Sequence, residues 1–350
     1  MKREPIFEEQ AAGGLYASLR EKVALRLGEL ARCRSDEELL GDPLYQALRE
    51  DIEAILHTPD MGCYRRSDPP ARAGYRVVAW NLERGIELEG QLEALRGHAY
   101  LRAADVFLLT ETDLGMARSG NRAVAQEIAR ALACDYAFGP CYLNLTKGSG
   151  VEYDVEGENE LGLHGNAIVS RYPIRHVRLV PLRNGIDKMA RREKRIGRQV
   201  AMLADIQFPN LSFTVASLHL DAQSTQAHRR SQMAGVLEHL PEDRPVLLGG
   251  DWNTSTYNSS HAFFAILGFW LRVFMGVDHV IRNHYLHPER HFERELFTLL
   301  EENGFDYRRP NRLGEGTFAY DFSDHRTRKN LGEWVPGWCF PFIHWSLRNH

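Results

Sequence analysis

The sequence predicts a layered α/β fold, and three observations carry that expectation. Short apolar runs rich in β-branched residues recur from Tyr75 onward: YRVVAW, DVFLLT, GNAIVS, QVAMLADIQF, LSFTVASL and PVLLGG. Each has the length of a strand, and several lack the alternation of a half-exposed strand, so they are expected to be buried on both faces. Between them, Asn121 to Leu132 and Ser224 to Leu240 space their apolar residues as helices do. In the latter, Met233, Val236, Leu237 and Leu240 form one stripe. Strands that interleave with helices build layers around sheets.

Taken in chain order, the first 73 residues read differently from the rest. Leu15, Leu19, Val23, Leu27 and Leu30, then Leu44, Leu48, Ile52 and Ile55, repeat at three- and four-residue intervals, as in amphipathic helices with one buried face. A helical N-terminal extension is expected over residues 1–73. It closes at Ser67 to Gly74, where two prolines and a glycine break any helix. Residues 74–350 then form the α/β domain, with an apolar helical insert at about 256–305.

Composition sets bounds on function. With 350 residues, 43% hydrophobic and 26% charged, the chain has material for a large core and is neither disordered nor a coiled coil. A net charge of −4 gives no overall attraction to nucleic acid or to an anionic membrane, so such a partner would need a local patch. The five cysteines (Cys33, Cys63, Cys134, Cys141 and Cys339) include no CxxC pair. That argues against a disulfide framework and a thiolate zinc site, and a reducing, cytoplasmic compartment is expected. The N-terminal MKREPIFEEQ lacks the apolar centre of a secretory signal.

Several apolar strands are expected to end abruptly in a polar residue. Asn81, Glu83 and Arg84 follow RVVAW; Glu111 and Asp113 follow DVFLLT; His219 and Asp221 follow LSFTVASL; Asp251 and Asn253 follow PVLLGG. Any one of them is explained as a turn former or a half-buried structural side chain. Together they place carboxylates, amides and an imidazole on one rim, where rigid strand ends hold them around a ligand. The carboxylate and amide oxygens are hard donors suited to Mg²⁺ or Mn²⁺. Such a metal fills its remaining positions with water and substrate phosphate, so phosphoryl chemistry follows. His219 and Asn253 would stabilise charge on phosphoryl oxygens, and Asp251 would orient or deprotonate a water.

These residues lie in motifs that resemble the endonuclease/exonuclease/phosphatase superfamily. WNLERG (Trp80 to Gly85), LLTETD (Leu108 to Asp113), GNAIVSRYPI (Gly165 to Ile174), SLHLDA (Ser217 to Ala222) and GGDWNTS (Gly249 to Ser255) occur in that family's order and spacing. The resemblance implies a four-layered α/β sandwich, two packed mixed β-sheets flanked by helices, and a Mg²⁺-dependent phosphoesterase. Carried over by motif, Asn81 and Glu111 hold the metal. His219 and Asn253 contact the scissile phosphate, and Asp251 activates the nucleophile or protonates the leaving group. Family membership does not name the substrate.

One departure concerns the family's closing Ser-Asp-His motif. Ser323, Asp324 and His325 spell it, but TFAYDF stands directly before Ser323 in place of a D-[YW]-[IF] strand about twenty residues upstream. The chain then continues for 25 residues rich in Trp, Pro and Phe. The tripeptide is therefore read as a look-alike, with His325 exposed and remote from Asp251. On that reading the chain stops before its final strand at CFPFIHWSLRNH, and a catalytically weakened binding protein is the alternative to an enzyme.

Three further segments bear on the substrate. Arg183 to Arg198 carries seven cationic residues against Asp187 and Glu193, either a solvated loop or a phosphate-gripping one. Glu152, Asp154, Glu156, Glu158 and Glu160 alternate through another loop, which would repel a long nucleic acid at the mouth of a cleft. Ala262 to Val277 holds one charge, Arg272, and is too short to span a bilayer. It is either a core helix or a helix docked on the cleft or on a membrane surface. His284, His287 and His291 are expected to be surface histidines. A small or lipid-like phosphodiester is accordingly favoured over nucleic acid, with a nuclease as the alternative and a phosphomonoester the lesser case.

Overall fold

A computed structural model describes residues 9–67, 69–254, 262–290, 292–316 and 341. They fall into two compact units. The first comprises the described residues up to Gly148, Val155–His219 and His239–Asp251; the second comprises Ser149–Asp154, Leu220–Glu238 and the described residues from Trp252 onward.

The first unit begins with helices α1 (Glu9–Ser18), α2 (Leu27–Leu30), α3 (Asp36–Gly41) and α4 (Pro43–His57), with a π-helical turn at Leu19–Val23. Local chemistry starts the last two. Ser35 Oγ accepts from the Glu38 N–H at 3.1 Å, and Asp42 Oδ1 accepts from the N–H groups of Leu44 and Tyr45 at 2.8 and 3.0 Å. Pro43, at the first helical position, has no N–H to leave unpaired.

Strands β1 (Asp60–Cys63), β2 (Val77–Arg84), β3 (Val106–Leu114), β4 (Asp135–Asn144), β5 (Leu163–Ser170) and β7 (Arg195–Gly197) form a six-stranded sheet. Its order is β1-β4-β5-β3-β2, with β7 also on β4. The second sheet, in the order β10-β9-β8-β6, joins β6 (Ile174–Pro181), β8 (Val200–Gln207), β9 (Ser212–His219) and β10 (Val246–Asp251). Both sheets are mixed, because β2/β3 and β9/β10 run parallel and the other pairs antiparallel.

Side chains from β3 show why these runs are apolar throughout. Val106 and Leu108 pack with Ile168, Met202, Ala204, Ile206 and Val215, joining one sheet to the other. The alternate residues Phe107 and Leu109 face the opposite way, into a core shared with Leu19, Val23, Leu30, Ile52 and Ile55 of the N-terminal helices. Helices α5 (Leu88–Gly97) and α7 (Val124–Leu132) add Leu92, Leu95 and Ile128 to the same core, and α6 (Ala99–Arg102) follows α5. The apolar stripe of the first 73 residues thus covers the outer face of the six-stranded sheet. The α/β class is the expected one, with two mixed sheets and helices.

Strand β4 had no counterpart in the apolar runs. Gly139 and Pro140 stand at its middle and read as a break, yet all its residues are buried. The register against β5 shifts between Pro140 and Tyr142, so proline occupies a bulge, where its missing N–H costs little.

In the second unit, α8 (Gln226–Leu237) packs with α11 (Arg294–Glu302). The fully buried Arg229 guanidinium donates from Nε to Glu293 Oε1 at 2.9 Å, and its Nη2 binds the same oxygen. Helix α9 (Ala262–Met275) precedes α10 (Val277–Val280). The core-helix reading of this segment does not hold, since Phe263 and Phe274 are 70% and 73% exposed. His284 corrects the surface expectation in the other direction: it is buried, with its ring centroid 4.5 Å from that of Phe292. His287 pairs with Glu289 at 3.3 Å. His291, Ser323, Asp324, His325 and the final CFPFIHWSLRNH segment lie outside the described residues, apart from Pro341. Cys33, Cys63, Cys134 and Cys141 are free.

Candidate active site

Each parallel strand pair of the first unit delivers polar residues at its carboxyl end. In β9/β10 the final residues, His219 and Asp251, are register partners. Gly250 makes this approach feasible. Its φ is +136°, and a Cβ there would lie 2.0 Å from the Leu218 carbonyl oxygen, so no other residue fits. In β2/β3 the register slips between Asn81 and Arg84, and β3 slips against β5 between Leu109 and Thr112. Glu111 is therefore not a strand end as expected; it sits in a bulge inside β3. The bulges leave Glu83, Arg84 and Glu111 at φ values of +47°, +67° and +52°. Left-handed backbone at non-glycine residues costs about 1–3 kcal/mol each and gathers where side chains must be aimed.

Four of the expected residues converge. Asn81 is the hub: Nδ2 donates to Glu111 Oε1 at 3.0 Å and to Asp251 Oδ2 at 2.9 Å. Its Oδ1 accepts from the Glu83 N–H at 2.9 Å, which fixes the side chain. His219 Nε2 lies 3.8 Å from Glu111 Oε1 and 3.9 Å from Asp251 Oδ2, beyond hydrogen-bond reach but within strong electrostatic contact. Side-chain exposure rises from 9% at His219 through 17% at Glu111 to 33% at Asp251, so the cluster opens on the Asp251 side. Asn253, with φ +51°, belongs to the second unit, where its Nδ2 donates to the Leu220 carbonyl at 2.9 Å.

Charge around Glu111 favours its ionised form. Burial pushes the carboxyl up, but Arg84 at 3.7 Å, His219, His164 and the Asn81 hydrogen bond together hold it down at about 2. Behind it lies a buried ionic cluster that sequence reasoning missed. Arg118 donates to both Asp113 oxygens at 2.8 and 3.0 Å and to Glu193 Oε1 at 2.7 Å. His164 Nδ1 meets Asp113 Oδ1 at 2.7 Å, and Arg195 lies 3.3 Å from Glu193. Burial raises the Asp113 and Glu193 carboxyls, but the arginines outweigh it and hold both below the usual range. Part of the Arg183 to Arg198 run is thus committed internally: Lys188 is buried, and Lys194 donates to the Cys33 carbonyl. In the sequence Arg118 stands in MARSGN, which reads as a polar loop.

These depressed carboxyls give stability a direction with pH. Each contributes stability that is present above its unfolded value and is lost as pH falls through its folded one. For Glu111 that interval runs from about pH 4.5 to about 2. Urea midpoints are expected to fall steeply across it, and less steeply in Asp113→Asn. An equal slope in the variant would remove Asp113 from the acid response.

The donors fit a hard divalent cation. Glu111 supplies an ionised carboxylate, and Asn81 would add an amide oxygen once its amide turns over and releases the Glu83 N–H, leaving room for water and phosphate oxygens. No group of three or more His, Cys, Asp or Glu suited to a metal occurs among the described residues.

The model of the Endonuclease/Exonuclease/phosphatase family matches residues 78–343, a span that includes all four converging residues. The chain belongs to this family. Its members are metal-dependent phosphoester hydrolases. Among curated proteins, the uncharacterized protein YbhP of Escherichia coli K12 is 30% identical over 134 residues, 37% of this chain and 46% of that protein. YbhP of Shigella flexneri matches equally. The chain thus spans just under half the length of these relatives. Similar solved structures include a humanized D. rerio TDP2 (18% identical, 51% of this chain and 66% of that chain, TM-score 0.32). SmcL is 17% identical over 52% of this chain and 64% of its own, with a TM-score of 0.33. ANGEL2, a 2',3'-cyclic phosphatase, is 16% identical over 48% and 44%, with a TM-score of 0.31.

Proposed function

We propose that the chain is a Mg²⁺-dependent hydrolase of a phosphodiester, small or lipid-like rather than nucleic acid, with Mn²⁺ as an alternative metal. The observation that carries this reading is the Asn81 amide bridging Glu111 and Asp251 beside His219. Glu111 would hold the metal, joined by the Asn81 oxygen once that amide turns over, and the metal when bound would polarise a phosphoryl oxygen. Asp251, the most open of the four, orients a water and takes its proton as the water oxygen bonds to phosphorus and the ester oxygen departs. His219 Nε2 would donate to a phosphoryl oxygen as its charge grows, the role that the family motif also gives Asn253. The burial of Lys188 and the Lys194 bond to the Cys33 carbonyl within the basic run, with the net charge of −4, support a compact substrate over a polyanion. The four free cysteines fit a reducing, cytoplasmic setting.

Hydrolysis of bis(p-nitrophenyl) phosphate, lost with EDTA and restored by Mg²⁺, tests the reading; turnover insensitive to EDTA counts against it. Metal binding is expected to raise the melting temperature. A hundredfold excess over the dissociation constant stabilises by about 2.7 kcal/mol, and Glu111→Ala is expected to abolish that shift. An unchanged shift would take Glu111 out of the metal site. Asp324 and His325 fall within the matched span of 78–343, either as a look-alike or as the family's closing pair. His325→Ala separates the two: a loss equal to that of His219→Ala makes it the closing pair.

A further inference from the structure

Strand β5 keeps one alternation along its length. Leu163, Ala167 and Val169 face the core shared with the N-terminal helices, and Ile168 faces the core between the sheets. Its partner β3 does not. Leu109 pairs with Ala167 and Thr112 with Gly165, so Thr110 and Glu111 together stand opposite Asn166 alone. Beyond that bulge the faces of β3 exchange. Leu114 returns to the helix-covered core with Phe107 and Leu109, although an odd number of steps separates it from both. Asp113 pairs with His164, on the face that Ile168 shares.

Regular pairing would undo the site. With no extra residue in β3, Glu111 would share the face of Phe107 and Leu109, turned away from the sheet that carries His219 and Asp251. Asp113 would then stand opposite Leu163, with its carboxylate in the apolar core and out of reach of Arg118. The bulge itself is unfavourable, because it holds Glu111 at a φ of +52°. Its counterweight lies in the buried cluster. Asp113 Oδ1 meets His164 Nδ1 at 2.7 Å, and Arg118 donates to both Asp113 oxygens at 2.8 and 3.0 Å. Glu193 holds the same guanidinium at 2.7 Å, which fixes it in place for Asp113. Thr112 Oγ1 adds a bond to the Gly165 carbonyl at 3.0 Å. The Asp113 and Thr112 bonds depend on the shifted register, and a buried carboxylate deprived of its partners is strongly disfavoured.

We propose that Asp113, with Arg118 and His164, forms a register lock: positioning residues that act through the β3 bulge to aim Glu111 at the rim. This deepens the metal reading of Glu111 and rests on it for the functional consequence, whereas the lock itself is measured on the metal-free chain. Partners behind a metal ligand contribute about 10–100-fold to metal affinity, and loosening the bulge is expected to act on that scale.

Binding of Mn²⁺, followed by the EPR signal of the free ion, and amide hydrogen exchange of the metal-free full chain test the proposal together. Asp113→Asn keeps the shape but gives up the charge, and is expected to weaken Mn²⁺ binding at least about tenfold. Exchange over residues 110–114 is expected to quicken more than exchange over β9 in the same variant. His164→Ala leaves the Arg118 fork in place; it is the milder loosening and is expected to move both readings in the same direction. Ile55→Ala separates aim from stability. It opens a cavity in the helix-covered core and lowers the melting temperature without touching the register, so its Mn²⁺ binding is expected to be unchanged. Two results overturn the proposal: Mn²⁺ binding as tight in Asp113→Asn and His164→Ala as in the unsubstituted chain while their melting temperatures fall, or exchange at 110–114 that rises no more than at β9. An unsubstituted chain that binds no Mn²⁺ removes the metal reading of Glu111, and the exchange pattern alone then upholds or overturns the lock.

Discussion

Turnover in His219→Ala and in Asp251→Asn is expected to fall at least about a hundredfold, with melting temperatures close to that of the unsubstituted chain. A donor aimed at charge that grows in the transition state contributes about 2.7–4 kcal/mol to catalysis and little to folding. His219 closes β9 without a hydrogen bond to either carboxylate, at 3.8 and 3.9 Å, so truncating it breaks no bond of the cluster. Asp251→Asn keeps the shape and an oxygen for the Asn81 N–H while removing the charge that draws a proton from water. Activity on bis(p-nitrophenyl) phosphate and thermal melting check both variants. A stability loss that matches the activity loss in each would make the pair structural and leave the rim without its proposed chemistry.

Part of this site was legible in the sequence because strand ends leave a plain signature. An apolar run that stops at His219 or at Asp251 marks a rim, and the order of the motifs adds the rest. What the sequence does not display is how a rim residue is aimed. Glu111 was expected where its strand ends, but β3 continues to Leu114 and the residue faces Asn81 through a bulge. A one-residue register shift depends on the neighbouring strands and has no local pattern. Gly139 and Pro140 concealed β4 for a related reason: a bulge lets proline into a buried strand. Helix α9 misled in the opposite sense. Apolar content predicts burial only where a partner surface exists, and Phe263 and Phe274 stay 70% and 73% exposed.

Buried charge is the least visible feature of all, and Arg118→Ala is expected to cost about 3–5 kcal/mol of stability, the usual loss when one partner of a buried ion pair is removed. The Arg118 side chain is fully enclosed and binds Asp113 through two bonds and Glu193 through a third. Its removal would leave two buried carboxylates with weaker compensation: His164 at 2.7 Å remains for Asp113, and Arg195 at 3.3 Å for Glu193. Protonation offers both an escape, since Arg118 helps to hold Asp113, beside His164, and Glu193, beside Arg195, below the usual carboxylate range. The deficit should therefore be largest near neutral pH and shrink as pH approaches 5, because the variant's carboxyls take up protons that the native ones refuse. Urea unfolding at pH 7.5 and pH 5 measures both quantities. A loss below about 1 kcal/mol that does not change between the two would mean that water reaches the cluster and screens it as it screens a surface pair.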